Sequence, residues 1–227
     1  MITETMTQKE VFKELNADNL WLDQRAIGIG KKYQKAMKNK HVGHNTVLGI
    51  STYITPNHNK VTACHVKAYH TNKYADILFS YMFEFVLNNG QKHYLLPDFN
   101  PDGSVLSITR FTSHCIARLK ERSNLTPIEL LKILSTRNNG GIPFMEYEYQ
   151  GKVTLMSPLA NIGGFIGAKG DWGITAVTFI TVEQQGAEQL SCLVSGRQFT
   201  REIAEDRQSR FLEDYNQQSR FYRRNMF

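Results

Sequence analysis

Apolar residues recur at helical spacing near the start of the chain. Val11, Phe12, Leu15, Leu20 and Trp21 mark an amphipathic helix over residues 8–24. The following GIGKKYQKAMKNK reads as a turn at its glycines and then a basic helix over 31–39. From Thr46 to Leu96 the texture changes. VLGISTYIT, KVTACHVKAYH and ILFSYMFEFVL are rich in β-branched and aromatic residues, with turn signals at Pro56-Asn57 and Asn88-Asn89-Gly90. The segment 74–87 has an ambiguous period and also fits a buried helix. PDFNPDG, at 97–103, has the composition of a loop.

Two helical stretches come next. Thr112 or Ser113 can cap HCIARLKER, and Thr126-Pro127-Ile128-Glu129 is a capping box with proline at the first helical position. That second helix runs to about Ser135, and Asn138-Asn139-Gly140-Gly141 ends it. FMEYEY, KVTLMSP, ITAVTFITV and QLSCLVS then read as four strands. The middle pair flank a glycine-rich loop holding Gly163, Gly164, Gly167, Gly170 and Gly173, and a polar turn from Gln184 to Gln189 makes the last pair a hairpin. The expected fold class is α+β. A helical basic segment (1–40) precedes a β-rich region (41–100), a helix-helix-four-strand antiparallel module (101–199) and a helical tail (200–227), and the two halves could share one sheet.

Charge adds what periodicity cannot. The net charge of +6 is modest, yet no acidic residue lies between Asp23 and Asp76. That stretch holds Arg25, Lys31, Lys32, Lys35, Lys38, Lys40 and Lys67, with several histidines. Such a block repels itself unless it is spread over a surface or neutralised by phosphates, which points to a polyanion, RNA first. An ordinary solvated face is the plainer alternative. The Gly-x-Gly before the lysines lacks the Walker pattern and follows no apolar strand, so a nucleotide loop is disfavoured. Cys64, Cys115 and Cys192 are far apart with no CxxC, which suggests reduced thiols and neither a disulfide frame nor a zinc site. With no run of 18 apolar residues and no basic-then-apolar leader, a cytoplasmic protein without a membrane partner is expected.

The sharpest chemistry falls on residues 113–122. On a helix turning about 100° per residue, Cys115, Ile116 and Leu119 share one side, and His114, Arg118, Glu121 and Arg122 gather on the other. Arg118 follows His114 by one turn, so both can address one group. A histidine moves protons near neutral pH, and arginines stabilise a phosphate gathering charge. RNA cleavage through its own 2′-hydroxyl needs a base, an acid and such cations, with no metal and no cofactor. The rival reading is a solvated helix face in which Arg118 pairs with Glu121 or Glu129.

FTSHCIARLKERSNLTPIELLKIL resembles the opening of the barnase–EndoU–colicin–RelE group of metal-independent ribonucleases, in which a Ser-His-x-x-x-Arg-x-x-x-Arg helix and a second helix precede a four-stranded sheet. The resemblance covers residues 112–182. It implies His114 and Arg118 as principal residues, Arg122 in support, and Thr178, then Thr181, as the polar residue of a closing strand. A longer, glycine-rich loop before that strand departs from the pattern.

Other constellations carry less. Glu146 and Glu148 share a strand face but lack partners, so a polar face with Met145, Tyr147 and Tyr149 packed inside accounts for them. His65, Lys67 and Tyr69 share another strand face, which suits single-stranded nucleic acid or a half-buried sheet equally well. The closing FYRRNMF reads as an anchor into a neighbouring subunit or as a phosphate contact. The expected function is therefore a metal-independent endoribonuclease of toxin, defence or mobile-element type. The alternatives are a non-catalytic nucleic-acid-binding protein and an assembly protein of a phage or mobile element.

Overall fold

The structure, a computed structural model, describes residues 1–38, 43, 45–67, 77–100, 102–137, 142–149, 152–159 and 162–185. The expected QLSCLVS strand, the tail from Thr200, and Lys40 and Tyr69 lie outside these.

Helix α1 spans Gln8–Lys38. A capping box opens it: the Thr7 N–H donates to Glu10 Oε2 at 2.8 Å, and the Glu10 N–H donates to Thr7 Oγ1 at 3.4 Å. The helix runs straight through Gly28 and Gly30, where the sequence suggested a turn. Two interior glycines cost roughly 1 kcal/mol each relative to alanine. Packing at both ends offsets this. Val11, Leu15 and Leu22 are buried near the start, and further on Tyr33 lies against the sheet at Gly49. A Cβ at Gly49 would stand 1.9 Å from the Tyr33 hydroxyl, so only glycine admits the ring there. Leu20, expected on the packed face, is 64% exposed, and Leu22 takes the inward place.

Nine strands form one sheet. They are β1 (Thr46–Ile54), β2 (Lys60–Lys67), β3 (Ile77–Val86), β4 (Lys92–Phe99), β5 (Val105–Phe111), β6 (Met145–Tyr149), β7 (Lys152–Leu159), β8 (Gly163–Gly170) and β9 (Gly173–Thr181). Their order is β1-β2-β3-β4-β5-β9-β8-β7-β6. Each half is a meander, and they meet at a short parallel pairing of β5 with β9, Thr109 opposite Ile174 and Phe111 opposite Ala176. All other pairings are antiparallel. The segment with an ambiguous period is strand β3. Much of the loop expected at 97–103 belongs to the β4–β5 hairpin, so the expected boundary near 100 falls inside a continuous sheet. The glycine-rich "loop" is itself strand β8. Gly163 belongs there because a Cβ would meet the Ile180 carbonyl oxygen at 2.0 Å.

Between β5 and β6 the chain forms α2 (Ser113–Ser123) and α3 (Pro127–Arg137). Thr112 caps α2 by accepting from the Cys115 N–H at 3.1 Å, and Asn124 in the left-handed region closes it. Thr126 and Glu129 cap α3 reciprocally. Both helices pack on one face of the sheet, burying Cys115, Leu119, Leu130, Leu131 and Leu134 against Phe111, Phe165 and Phe179. Helix α1 packs on the opposite face over Val61, Ala63, Phe83, Leu95 and Ile108. The protein is thus a mixed α+β fold with helices on both faces of a large sheet. No helix among the described residues is long and apolar enough to cross a membrane.

Candidate nucleic-acid interface

The outer side of α1 carries a cluster of exposed positive charge. Arg25, Lys31 and Lys32 are exposed, while Leu22 turns inward. Gly28 stands three residues after Arg25, three before Lys31 and four before Lys32, so all three surround it on the helix surface. Gly28 is itself exposed, and a Cβ there would meet nothing within 4 Å. The result is a bare patch of backbone ringed by cations, open to the close approach of a phosphate chain.

Aromatic rings flank the patch. The Arg25 guanidinium lies over the Trp21 ring, 4.0 Å from its centroid, and Trp21 meets Tyr53 of β1 edge-on at 6.2 Å. Both rings are partly exposed. Lys32 Nζ lies 5.3 Å from the centroid of Tyr33. Lys35 and Lys38 belong to the last turns of α1, but their side chains lie outside the described residues.

Lys67 is 3% exposed, and register puts it on the α1-facing side of β2 with His65. It is therefore no part of an open surface. His65 is 1% exposed and packs edge-on between Tyr33 and Phe79. Neither of its ring nitrogens has a hydrogen-bond partner among the described residues. Burial, with the Lys32 charge adding to it, holds this imidazole below its ordinary pKa and disfavours its protonated form.

The four residues singled out for cleavage do not converge. His114 is exposed on the first turn of α2, and Arg118 follows one turn later. Arg118 Nη1 binds Glu121 Oε2 at 2.7 Å, an exposed pair worth a few tenths of a kcal/mol at most. Arg122 Nη1 donates to the Phe179 carbonyl oxygen and ties α2 to β9. Thr178 pairs with Ile166, on the face opposite Phe165 and Phe179. Those phenylalanines pack with Cys115 and Leu119 of α2, so the sheet separates Thr178 from the α2 side. Thr181, the second candidate, pairs with Gly163 at the end of β9 and shares the Phe179 face. Burial pushes the Cys115 thiol up to about 12, which removes it as a nucleophile.

Sequence reasoning did not find a second basic cluster, at the seam of the two halves. Arg110 Nε donates to His93 Nδ1 at 2.9 Å, and the guanidinium lies near the rings of Phe85 and Trp172, 5.5 and 5.3 Å from their centroids. These residues are far apart in sequence, and no local pattern announces them. Their role is structural, because Trp172 also donates through Nε1 to the Met6 carbonyl oxygen and pins the N-terminal segment.

No family model matches the chain, and neither a curated protein nor a solved structure matches it significantly.

Proposed function

We propose that the protein binds nucleic acid, single-stranded RNA in the first instance, through the outer face of α1. The observation that carries this reading is the exposed Gly28 backbone ringed by Arg25, Lys31 and Lys32. Phosphates supply affinity by releasing counterions, and the partly exposed Trp21 and Tyr53 offer rings on which unpaired bases stack. The test is fluorescence anisotropy of labelled RNA over a salt series. Wild type should bind with an affinity that falls steeply with salt. Lys31→Glu with Lys32→Glu should lower affinity and flatten the log–log slope by about 1.4, at about 0.7 per lost phosphate contact. Binding that ignores salt, or that the double variant retains, sinks the reading.

A metal-independent ribonuclease is the second reading. It is supported by the exposure of His114 one turn before Arg118 and by the resemblance of the α2 sequence. With Arg122 engaged by Phe179 and Thr178 across the sheet, the chemistry would fall to His114 and to Arg118 once it exchanges its exposed Glu121 partner for a phosphate. RNA incubated with the protein in EDTA would yield 2′,3′-cyclic phosphate ends, and His114→Ala would abolish them. No cleavage by the folded wild type leaves binding alone.

A further inference from the structure

Trp21, Arg25, Gly28 and Lys32 stand at i, i+4, i+7 and i+11 along α1. That spacing lines them up on one side of the helix, the side on which Trp21 meets Tyr53 of β1. Within the stripe, Arg25 is held differently from a lysine. Its guanidinium lies 4.0 Å from the centroid of the Trp21 ring, close enough for the two flat groups to stack. The acids of α1 nearest to it in sequence are directed elsewhere. Asp18 accepts from Asn57 Nδ2 at 2.9 Å and from Asn59 Nδ2 at 2.7 Å. Asp23 stands about 160° away around the helix axis. It lies on the side of Gly103, where an added Cβ would be 4.0 Å from Asp23 Oδ2. The sequence then holds no acid before Asp76. An aromatic face thus orients Arg25, and the residue remains exposed.

A guanidinium stacked on a ring keeps its N–H donors in its own plane, aimed outward along its rim. Two parts of an RNA chain accept twice from such a fork. One is a phosphate, and the other is the Hoogsteen edge of guanine, whose O6 and N7 are adjacent acceptors. Lys31 and Lys32, beside the bare backbone of Gly28, already suit the phosphates. A guanine in the guanidinium plane lies parallel to the indole, so hydrogen bonding and stacking act together. A phosphate gains only the first. Adenine presents its N6 amino group beside N7, which sets a donor against a donor. We propose, building on the RNA-binding reading of α1, that Arg25 stacked on Trp21 is a specificity-determining residue that selects guanine in single-stranded RNA.

The experiment measures, by fluorescence anisotropy with the full chain, binding of short oligouridylates that carry one guanosine, one adenosine or one 7-deazaguanosine. Wild type should bind the guanosine oligomer about tenfold more tightly than the adenosine one, towards the lower end for a bidentate contact. The 7-deaza oligomer lacks the N7 acceptor and should fall to the adenosine level. Arg25→Lys keeps the charge without the planar fork, and should bind all three alike with its salt dependence retained. The base analogue is tested on wild type, so the outcome does not hang on whether the variant folds. Equal binding of the guanosine and adenosine oligomers by wild type, with steep salt dependence, would overturn guanine selection and leave the proposed function standing. A guanosine preference that survives the 7-deaza change, or that folded Arg25→Lys retains, would overturn it as well. No binding of any oligomer at low salt would sink both.

Discussion

His93 shows how one buried side chain couples folding to pH. It is 4% exposed, meets Phe85 edge-on, and accepts a hydrogen bond from Arg110 through Nδ1. Burial first and the Arg110 charge second lower its pKa from 6.5 to about 4, against a small upward pull from Glu4. Between these two values the unfolded imidazole binds a proton and the folded one does not. Stability therefore rises with pH through this window and falls on acidification, by about 3 kcal/mol as an upper bound. Urea unfolding at pH 4.5 and pH 7.5 should show that slope. His93→Gln, which keeps an acceptor for Arg110, should flatten it. Asn59 shows the same economy among neutral groups. Its side chain accepts from the Ile2 N–H and donates to Glu14 and Asp18, so one buried amide joins α1, the β1–β2 turn and the N-terminal segment.

Helix α1 separates folding from binding at Gly28. A Cβ there meets open space, and glycine in a helix interior costs roughly 1 kcal/mol relative to alanine. Gly28→Ala should accordingly raise unfolding stability by about 1 kcal/mol, measured by denaturant titration. Gly28→Glu should also stabilise the helix, yet it places a carboxylate amid Arg25, Lys31 and Lys32 and should weaken RNA binding. Opposite signs in the two measurements would locate the interface on this face. If Gly28→Glu binds as wild type does, the interface lies elsewhere. Helix α2 illustrates the converse, since its arginines are engaged by Glu121 and by the Phe179 carbonyl. The same residue pattern can serve a site or a joint, and the neighbours decide which.

At the scale of the whole molecule, the two meanders are joined by the three-residue parallel ladder of β5 and β9, and Gly173 stands at its edge. Its φ is +140°, and a Cβ there would lie 2.5 Å from the Ile108 carbonyl oxygen. Gly173→Ala should cost about 3 kcal/mol from backbone strain and the clash combined. Because the seam joins both halves, thermal unfolding should shift to lower temperature for probes in each half alike. If only the second half melts early, the halves fold independently.

The sequence by itself determined the elements whose signals are local. The Thr126–Glu129 box opens α3, Thr112 caps α2, and alternation of β-branched and aromatic residues marks β1 and β2. It also fixed the run without acids from which the basic face of α1 is built. Tertiary structure decided what depends on distant partners. Gly28 and Gly30 read as a turn, but packing before and after them keeps the helix whole. Gly163 to Gly170 read as a loop, but close approach to β9 makes glycine a requirement of a strand. Lys67 belongs to the basic run, yet the sheet turns it inward, and the same alternation sends Thr178 away from His114. Propensity and charge act within a few residues along the chain. Burial and the convergence of a site depend on which strands become neighbours, and here the last described strand returns to pair with the fifth.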